Sequence, residues 1–517
     1  MKAFRYDDVP VLETTSGKLK GYFYDGTYIF KGVPYAQAKR FQMPKPSKWE
    51  GIKEATSYGY VCPLMKQDKP NGELLIPHRY WPMDENCQNL NIWTTALNSN
   101  TKKPVIVWLH GGGYFAGSSI EHIAYDGRNM CVEGDCVVVS VNHRLNILGY
   151  LDLSPFEKKY ENSGNAGHAD MVAALQWVHD NITLFGGDPE NVTIFGQSGG
   201  GMKVADLIQI PAADGLFHKG LIMSGVASDG LLASCVGSGK QIVEAMLKEL
   251  GLTVKDIEKL ETLPYPALVE AYNKVMPAVA KEGAYVGGAP QVNDWFRGYP
   301  LHYGMREHGY EIPLMIGSVF AEFAFTPAKF DKTKLSKSEM VKIVKNVYGD
   351  KTKDILALYQ KAYPCKNITD LISVDRVMRQ PSKKLAALHA KGGKAGTYLY
   401  NFTLEFPMMS KIAWHCSDIP FFFHNTDKVE ICSIPGVTET LEDQIFGAFM
   451  AFARTGVPSH DKLPEWPRVT EESEPTMILD TVCEVRDHYD DALYEMIDSI
   501  LPPFNLHEDV DEDDMQH

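Results

Sequence analysis

The sequence predicts an α/β fold in which helices cover both faces of a mostly parallel central sheet. Short apolar runs with the length of buried strands recur along the chain, and segments of helix length separate them. Between the second and third runs, residues 168–184 carry apolar side chains at helical spacing. Strands that alternate with helices in this way are typical of parallel sheets. The six clearest runs are 105–110, 136–142, 191–196, 220–225, 313–318 and 397–402.

The start of the chain and two internal stretches depart from this alternation. Residues 20–36 favour short antiparallel strands, with the turn Asp25-Gly26 between two of them. The stretches near 229–311 and near 327–395 contain helical patterns, and we expect them to cap the sheet edge where open α/β sheets bind ligands. Residues 1–505 are predicted to form one domain, followed by an acidic, disordered tail over 506–517.

Composition and charge argue against several classes of protein. The 517 residues include 51 Lys and Arg against 66 Asp and Glu, and this net charge of −15 disfavours binding to nucleic acid. No run approaches the roughly 20 apolar residues of a membrane-spanning helix, and the first residues lack the apolar core of a signal peptide. Nine cysteines without a C-x-x-C pair are typical of a reduced intracellular protein. We therefore expect a cytoplasmic location.

A glycine-rich segment places one serine between a strand and a helix. Residues 196–200, "GQSGG", fit the pattern G-x-S-x-G, directly after a β-prone run and before apolar residues at helical spacing. In such an elbow the serine hydroxyl is exposed, and the helix start directs free N–H groups toward it. The pattern also arises by chance, so a simple packing turn is the alternative. Ser198 is the candidate nucleophile.

A second glycine-rich segment supplies candidate donors for an oxyanion. The sequence "WLHGGGYFAG" at 108–117 follows a predicted strand and precedes the elbow. Its glycines let backbone amides turn into a pocket, and Gly112 and Gly113 would act there together with Gly199. His110 is interpreted as a structural residue that holds this loop. A flexible glycine hinge is the alternative interpretation.

A nucleophilic serine also needs a base and an acid that orients the base. Glu322 comes soon after the run 313–318, and His415 lies in a loop beyond the run 397–402. Acid before histidine is the chain order expected after an elbow of this kind. The chain has 16 histidines, and His415 is selected by its position.

Several segments with these motifs follow one another in the order of a known family. They are "GTYIFKGVPYA", "RFQMPKP", "ENCQNLNIW", "WLHGGGYFAGSS", the long segment from Gly164 to Gly201, "IGSVFAEFAF" and "AWHCSDIPFFF". With them the sequence resembles the type-B carboxylesterase family, which includes the cholinesterases, over nearly the whole chain. The resemblance implies an α/β-hydrolase fold and a serine esterase acting on small-molecule esters. It implies the triad Ser198, Glu322 and His415, and the oxyanion hole Gly112, Gly113 and Gly199.

The sequence departs from the family pattern around the site. Gln197 stands where the family usually has glutamate, which removes a negative charge and weakens the case for quaternary-ammonium substrates. Ala321 and Phe323 flank the acid in place of aspartate and glycine, and Cys416 replaces the glycine after the histidine. We expect these changes to reshape the pocket. Gly199 stands where alanine is commoner, and its N–H is still available.

Two cysteines fall where many family members have a disulfide. They are Cys62 and Cys87, and we expect both to be reduced, with a disulfide as the alternative.

The expected reaction is a two-step acyl transfer through an acyl-enzyme, which requires no metal or organic cofactor. Alternatives are hydrolysis mainly of thioesters, carbamates or amides, and a catalytically silent binding protein with the same fold. Motifs for other chemistries are incomplete: position 201 is Gly where S-x-x-K needs lysine, "VGSGKQ" is not a full phosphate loop, and no H-E-x-x-H occurs.

The sequence does not determine the substrate preference or the oligomeric state. Candidate pocket walls, which core packing explains equally well, are Trp81, Trp295, Phe320, Phe323, Phe325 and Trp414.

Overall fold

The computed structural model describes residues 4–65, 79–98, 100–226, 236–324, 330–407 and 411–503. Phe325 and the predicted tail over 506–517 therefore lie outside the described residues. The described strands, in chain order, are β1 (Phe4–Arg5), β2 (Leu12–Thr14), β3 (Gly17–Lys20), β4 (Tyr22–Tyr24), β5 (Thr27–Pro34), β6 (Ala36–Gln37), β7 (Lys45–Pro46), β8 (Ile52–Glu54), β9 (Asn89–Thr94), β10 (Lys103–Leu109), β11 (Val137–Val141), β12 (Gly187–Gln197), β13 (Lys219–Met223), β14 (Leu314–Val319), β15 (Thr397–Phe402), β16 (Glu405–Phe406), β17 (Lys411–Ile412), β18 (Pro475–Leu479) and β19 (Glu484–Asp487).

Helices connect and cover these strands. The described α-helices are α1 (Arg128–Glu133), α2 (Asn146–Tyr150), α3 (Ala166–Asn181), α4 (Gly199–Ile208), α5 (Lys240–Glu249), α6 (Tyr265–Lys281), α7 (Pro300–Tyr303), α8 (Lys337–Tyr348), α9 (Thr352–Ala362), α10 (Arg379–Lys391), α11 (Ile419–Phe422), α12 (Thr438–Thr455) and α13 (Asp491–Ile500). The described 3-10 helices are Ile123–Tyr125, Lys158–Tyr160, Ser163–Asn165, Ile182–Phe185, Pro211–Ala213, Val254–Glu261, Glu307–Glu311, Lys332–Lys334, Gly349–Lys351, Ile368–Ser373, Thr426–Lys428 and Glu430–Cys432.

Twelve of the described strands form one sheet with a parallel centre. Its order is β1-β4-β5-β9-β11-β10-β12-β13-β14-β15-β18-β19. Every pairing from β11 to β18 is parallel, and the flanking pairings are antiparallel. The six predicted strands correspond to β10–β15, so the predicted fold class is confirmed.

The central strands are apolar on both faces because both faces are covered. On β10, Ile106 and Trp108 belong to one hydrophobic cluster, whereas Val105, Val107 and Leu109 belong to a second cluster. Successive side chains point to opposite faces of a strand, so the two clusters lie on the two faces of the sheet. This arrangement explains why the run 105–109 shows no polar alternation.

The predicted N-terminal hairpin is present. Strands β4 and β5 pair antiparallel with Tyr24 opposite Thr27, which leaves Asp25 and Gly26 as the turn. Both turn residues have positive φ, 48° and 84°. A two-residue turn with this geometry matches the twist of the strands it joins.

The two stretches that interrupt the alternation are largely helical where they are described. Helices α5 and α6 share a separate apolar cluster with residues of α2. Helices α8 and α9 belong to an insertion that follows β14. The two ends of this insertion meet where Asp375 N donates a hydrogen bond to Phe320 O at 2.9 Å. The single-domain organisation stays a prediction. Within the described ranges, no helix combines the length and apolarity needed to cross a membrane.

Candidate active site

Ser198 occupies a sharp turn between β12 and α4. Its dihedral angles are φ 56° and ψ −126°, and a non-glycine residue in such a conformation costs about 1–3 kcal/mol. Ser198 N donates a hydrogen bond to Met223 O at 2.8 Å, and Met202 N donates one to Ser198 O at 3.0 Å. A Cβ atom on Gly200 would lie 2.0 Å from Leu109 O, so the close contact of α4 with β10 requires glycine.

The loop after β10 lies directly against the start of α4. Gly112 and Gly113 have φ of 82° and 58°, which favours glycine at both positions. The loop is folded on itself, because Gly112 O accepts hydrogen bonds from Phe115 N (3.2 Å) and Ala116 N (3.0 Å). A Cβ atom on Gly199 would lie 2.4 Å from Gly113 N and 2.3 Å from Gly113 O. The structure thus brings the three predicted oxyanion-hole residues together.

Glu322 and His415 form a buried pair that is held together by a backbone hydrogen bond and by a side-chain contact. His415 N donates to Glu322 O at 2.8 Å, and the isolated bridge between Ala321 and Trp414 aligns the two segments. His415 Nδ1 lies 2.6 Å from Glu322 Oε2, while Glu322 Oε1 accepts from Val319 N at 2.9 Å. Because a carboxylate accepts, Nδ1 carries the proton, and Nε2 presents its lone pair.

Gln197 joins His415 to the nucleophile elbow. Gln197 Nε2 lies 3.2 Å from His415 Nε2, and Cys416 Sγ donates to Gln197 Oε1 at 3.2 Å. Since Gln197 and Ser198 are consecutive, the imidazole lies beside the elbow. The sequence marked Gln197 and Cys416 only as departures from a family pattern and did not predict their contact with His415 or with each other.

Two further buried carboxyl groups surround Glu322. Burial, together with the charge of Glu322, raises the pKa of Asp375 to about 7 and that of Asp418 to about 7. Asp418 Oδ2 accepts a hydrogen bond from Tyr400 OH at 2.8 Å. Below neutral pH these two acids are therefore mostly uncharged.

A buried lysine lies behind the glycine loop. Lys203 of α4 donates from Nζ to His110 O at 2.9 Å. Burial lowers its pKa to about 7, against the opposing effect of Glu121 and Asp206. Burial and the neighbouring Lys203 also lower the pKa of His110 well below its usual value. His110 is neutral and bonds through Nδ1 to Gly111 O at 2.9 Å, which fits the structural role predicted for it.

Of the aromatic residues predicted as pocket walls, Phe323 contacts the site. Its ring stacks on that of His415, with centroids 5.5 Å apart and an interplanar angle of 20°. Phe320 packs against Tyr363, and Trp414 is fully buried against Phe406. These two are core residues.

The remaining predicted aromatic positions lie elsewhere. Trp81 packs edge-on against Tyr58, and Trp295 lies against the second hydrophobic cluster. An aromatic residue that the sequence did not select, Phe115, follows the glycine loop with its side chain exposed.

Cys62 and Cys87 are buried free thiols. They lie in one small apolar cluster, and Cys62 Sγ accepts a hydrogen bond from Leu145 N at 3.2 Å. The reduced state of this pair stays a prediction.

Among the described residues, one group could offer ligand atoms to a metal ion: Glu474, His488 and Asp491. Lys383 already neutralises part of this group, because its Nζ lies 3.1 Å from Glu474 Oε1 and also contacts Asp491. The group lies outside the site around Ser198.

The parallel sheet, the elbow after β12 and the acid–imidazole pair define an α/β-hydrolase. The sequence model of the carboxylesterase family matches residues 8–497. Para-nitrobenzyl esterase of Bacillus subtilis (strain 168) is 31% identical over 494 residues, covering 91% of this chain and 95% of that protein. Phenmedipham hydrolase of Pseudarthrobacter oxydans is 31% identical over 474 residues, covering 89% and 92%.

A solved structure extends this comparison. An esterase from anaerobic Clostridium hathewayi, described as able to hydrolyse aliphatic aromatic polyesters, superimposes with a TM-score of 0.95 at 51% identity. The match covers 97% of this chain and 100% of that one. The chain belongs to the carboxylesterase family and is a carboxylic ester hydrolase.

Proposed function

We propose that Ser198, His415 and Glu322 hydrolyse small-molecule esters through an acyl-enzyme. Ser198 Oγ attacks the ester carbonyl carbon while His415 Nε2 takes the hydroxyl proton. His415 then gives this proton to the departing alcohol, activates a water molecule and returns its proton to Ser198 Oγ as the acid leaves. Glu322 keeps the proton on Nδ1 and stabilises the imidazolium. The buried 2.6 Å contact between His415 Nδ1 and Glu322 beside the elbow carries this proposal.

In the proposed mechanism the amides of Gly112, Gly113 and Gly199 bind the oxyanion. Support comes from the packing of Gly113 backbone atoms against Gly199, directly after the nucleophile. A donor of this kind contributes about 10²–10³ in rate. The start of α4 adds a favourable partial charge at the same point.

Replacement of Ser198 tests the proposal directly. Ser198→Ala should abolish hydrolysis of p-nitrophenyl butyrate while the thermal unfolding temperature stays close to that of the wild type, because alanine fits the same strained backbone no worse than serine. An organophosphonate probe should label the wild type and leave Ser198→Ala unlabelled. Undiminished turnover by the variant, or a wild-type protein that hydrolyses no ester and takes no label, would overturn the proposal. The second result is the one expected of a catalytically silent binding protein.

Esters of aromatic acids, including aliphatic aromatic polyesters, are the substrates we favour. The Clostridium hathewayi esterase supports this choice, and so do two rings beside the site. Phe323 stacks on His415, and Phe115, with 53% of its surface exposed, follows Gly113.

A substrate panel decides between this choice and the alternatives. It compares release of aromatic acid from a polyester film with hydrolysis of p-nitrophenyl butyrate, a thioester, a carbamate and an anilide. Phe323→Ala should lose more activity on the film than on the butyrate. Equal losses would count against an aromatic acyl site at this ring.

We also propose that residues 1–505 form one domain and that the protein is cytoplasmic. The eight free cysteines of the described part support a reducing compartment, and those at 62 and 87 are buried next to each other. Cell fractionation of the source organism tests the location. Limited proteolysis tests the single domain, which should resist cleavage within the described segments.

A further inference from the structure

We propose that Gln197 is a positioning residue that holds His415 in its neutral, base-competent form, and that the Cys416 thiol orients the Gln197 amide for this task. The inference rests on the proposed role of His415 as general base.

One assignment of the hydrogen-bond chain satisfies the contacts of Gln197 with both His415 and Cys416. The Nδ1 proton of His415 goes to Glu322, so Nε2 is an acceptor. The Gln197 group facing Nε2 at 3.2 Å must then be the amide NH₂. This turns Gln197 Oε1 toward Cys416, whose thiol donates to it at 3.2 Å. A flipped amide would face the Nε2 lone pair with an oxygen and lose that bond, and it would exchange the S–H···O bond for a weaker N–H···S contact.

An NH₂ donor at Nε2 acts against protonation of the imidazole. A proton on Nε2 would face the amide protons of Gln197, so the protonated ring must break this contact. A carboxylate at position 197 would have the opposite effect, since it would attract the imidazolium. Gln197 thus keeps His415 able to accept a proton at lower pH than an acidic residue would.

Cys416 is well placed to orient the amide. It follows His415 with φ of 74°, a conformation in which its Sγ reaches Gln197 Oε1. Other titratable groups face the imidazole as well: Glu322 by direct contact, Asp418 from the following helix start, and Asp375 through Glu322. These acids are present in every variant compared below. Because their titration is coupled to that of the imidazole, the test compares only the change in the acid-limb midpoint between variants.

The test measures kcat/KM against pH with p-nitrophenyl butyrate, read at the isosbestic wavelength of p-nitrophenol. The variants are Gln197→Glu, Gln197→Met, Cys416→Ala and Cys416→Ser. We expect Gln197→Glu to move the midpoint of the acid limb upward by roughly 1 pH unit or more, as an adjacent opposite charge does. Gln197→Met, which lacks both donor and acceptor, should move it upward by less.

The cysteine variants form a matched pair. Alanine and serine carry the same backbone penalty at positive φ, but only serine keeps a donor for Gln197 Oε1. Cys416→Ala should raise the acid-limb midpoint because the amide is free to present its oxygen to Nε2. Cys416→Ser should restore the wild-type midpoint. A purely structural role would lower activity at every pH and leave the midpoint unchanged.

Unchanged midpoints in Gln197→Glu and Cys416→Ala, or the same shift in Cys416→Ala and Cys416→Ser, would overturn the inference. Thermal unfolding confirms that each variant is folded. Phosphonate labelling of Ser198 distinguishes a failure of the inference about Gln197 from a failure of the proposed function. Labelled, active variants with unshifted profiles refute only the role of Gln197, whereas an active Ser198→Ala enzyme refutes the mechanism on which it rests.

Discussion

Gly199→Ala should disable the proposed oxyanion hole although alanine is commoner at this position in the family that the sequence resembles. The new Cβ would lie 2.3 Å from Gly113 O and 2.4 Å from Gly113 N. Both are backbone atoms, and ordinary contact distances would require the glycine loop to retreat by roughly 1 Å. A misplacement of about 1 Å can cost about 10²-fold in rate, and loss of one oxyanion donor costs about 10²–10³.

We therefore expect kcat for p-nitrophenyl butyrate to fall about 10²–10³-fold, which corresponds to roughly 3–4 kcal/mol of transition-state stabilisation. KM should change much less, because the ground-state ester makes weaker use of these donors. Stability should fall by about 1–3 kcal/mol, since the added Cβ overpacks against the backbone of the glycine loop and forces it to shift. Stopped-flow measurement of the acylation step would locate the loss at the first tetrahedral intermediate.

A matched control separates steric contact from a general effect of removing glycine. A Cβ on Gly215 meets no atom within 4 Å, but its φ is 78°. Gly215→Ala should therefore cost about 1–2 kcal/mol of stability and leave kcat unchanged. A Gly199→Ala enzyme with kcat within about threefold of the wild type would refute the reasoning, because a loop displaced by this distance cannot keep its donors aligned.

Three other predictions follow from the same site. Glu322→Gln should lower kcat by about 10³–10⁴ with little change in unfolding temperature, because the amide can turn its NH₂ to Nδ1 and favour the wrong tautomer. The raised pKa of Asp418, about 7, makes its protonated form more stable in the folded state, so stability falls as pH rises from about 4 to 7. Asp418→Asn should reduce the loss of unfolding temperature between pH 5 and pH 8. The lowered pKa of Lys203, also about 7, has the opposite sign, because the unfolded chain binds more protons above pH 7. Lys203→Met should therefore lack the gain in stability that urea unfolding detects between pH 7 and pH 10 in the wild type.

The six strands predicted for the parallel centre lie in runs whose side chains are almost all buried. Strand β9 was not predicted, although it is fully buried. It contains Asn91, which accepts from Gly32 N at 2.9 Å and donates to Ser140 Oγ at 3.0 Å. These partners satisfy a polar group inside the sheet. They lie 59 and 49 residues away in the chain, so no local pattern shows that an asparagine can be buried there.

Contacts between residues that are distant in the sequence also limited the prediction of the site. Local motifs selected Ser198 and the glycine loop, and chain order selected Glu322 and His415. The contacts of Gln197 could not be predicted, because His415 and Cys416 are 218 and 219 residues away. The pocket walls could not be predicted from the sequence either. Of the six aromatic positions proposed, the described structure brings Phe323 into contact with the imidazole.

The hydrogen bond from Asp375 N to Phe320 O closes the insertion after β14 at its base. Its two ends stay together whatever the length of α8, but the residue after α9 also contacts the sheet. Tyr363 packs against Phe320, and its OH accepts a hydrogen bond from Asn401 Nδ2 of β15 at 3.3 Å. Doubling the length of a flexible loop costs only about 0.6 kcal/mol. Exchange of segment 330–373 between related enzymes would thus keep β14 and β15 in place where the incoming segment retains the contacts of Tyr363.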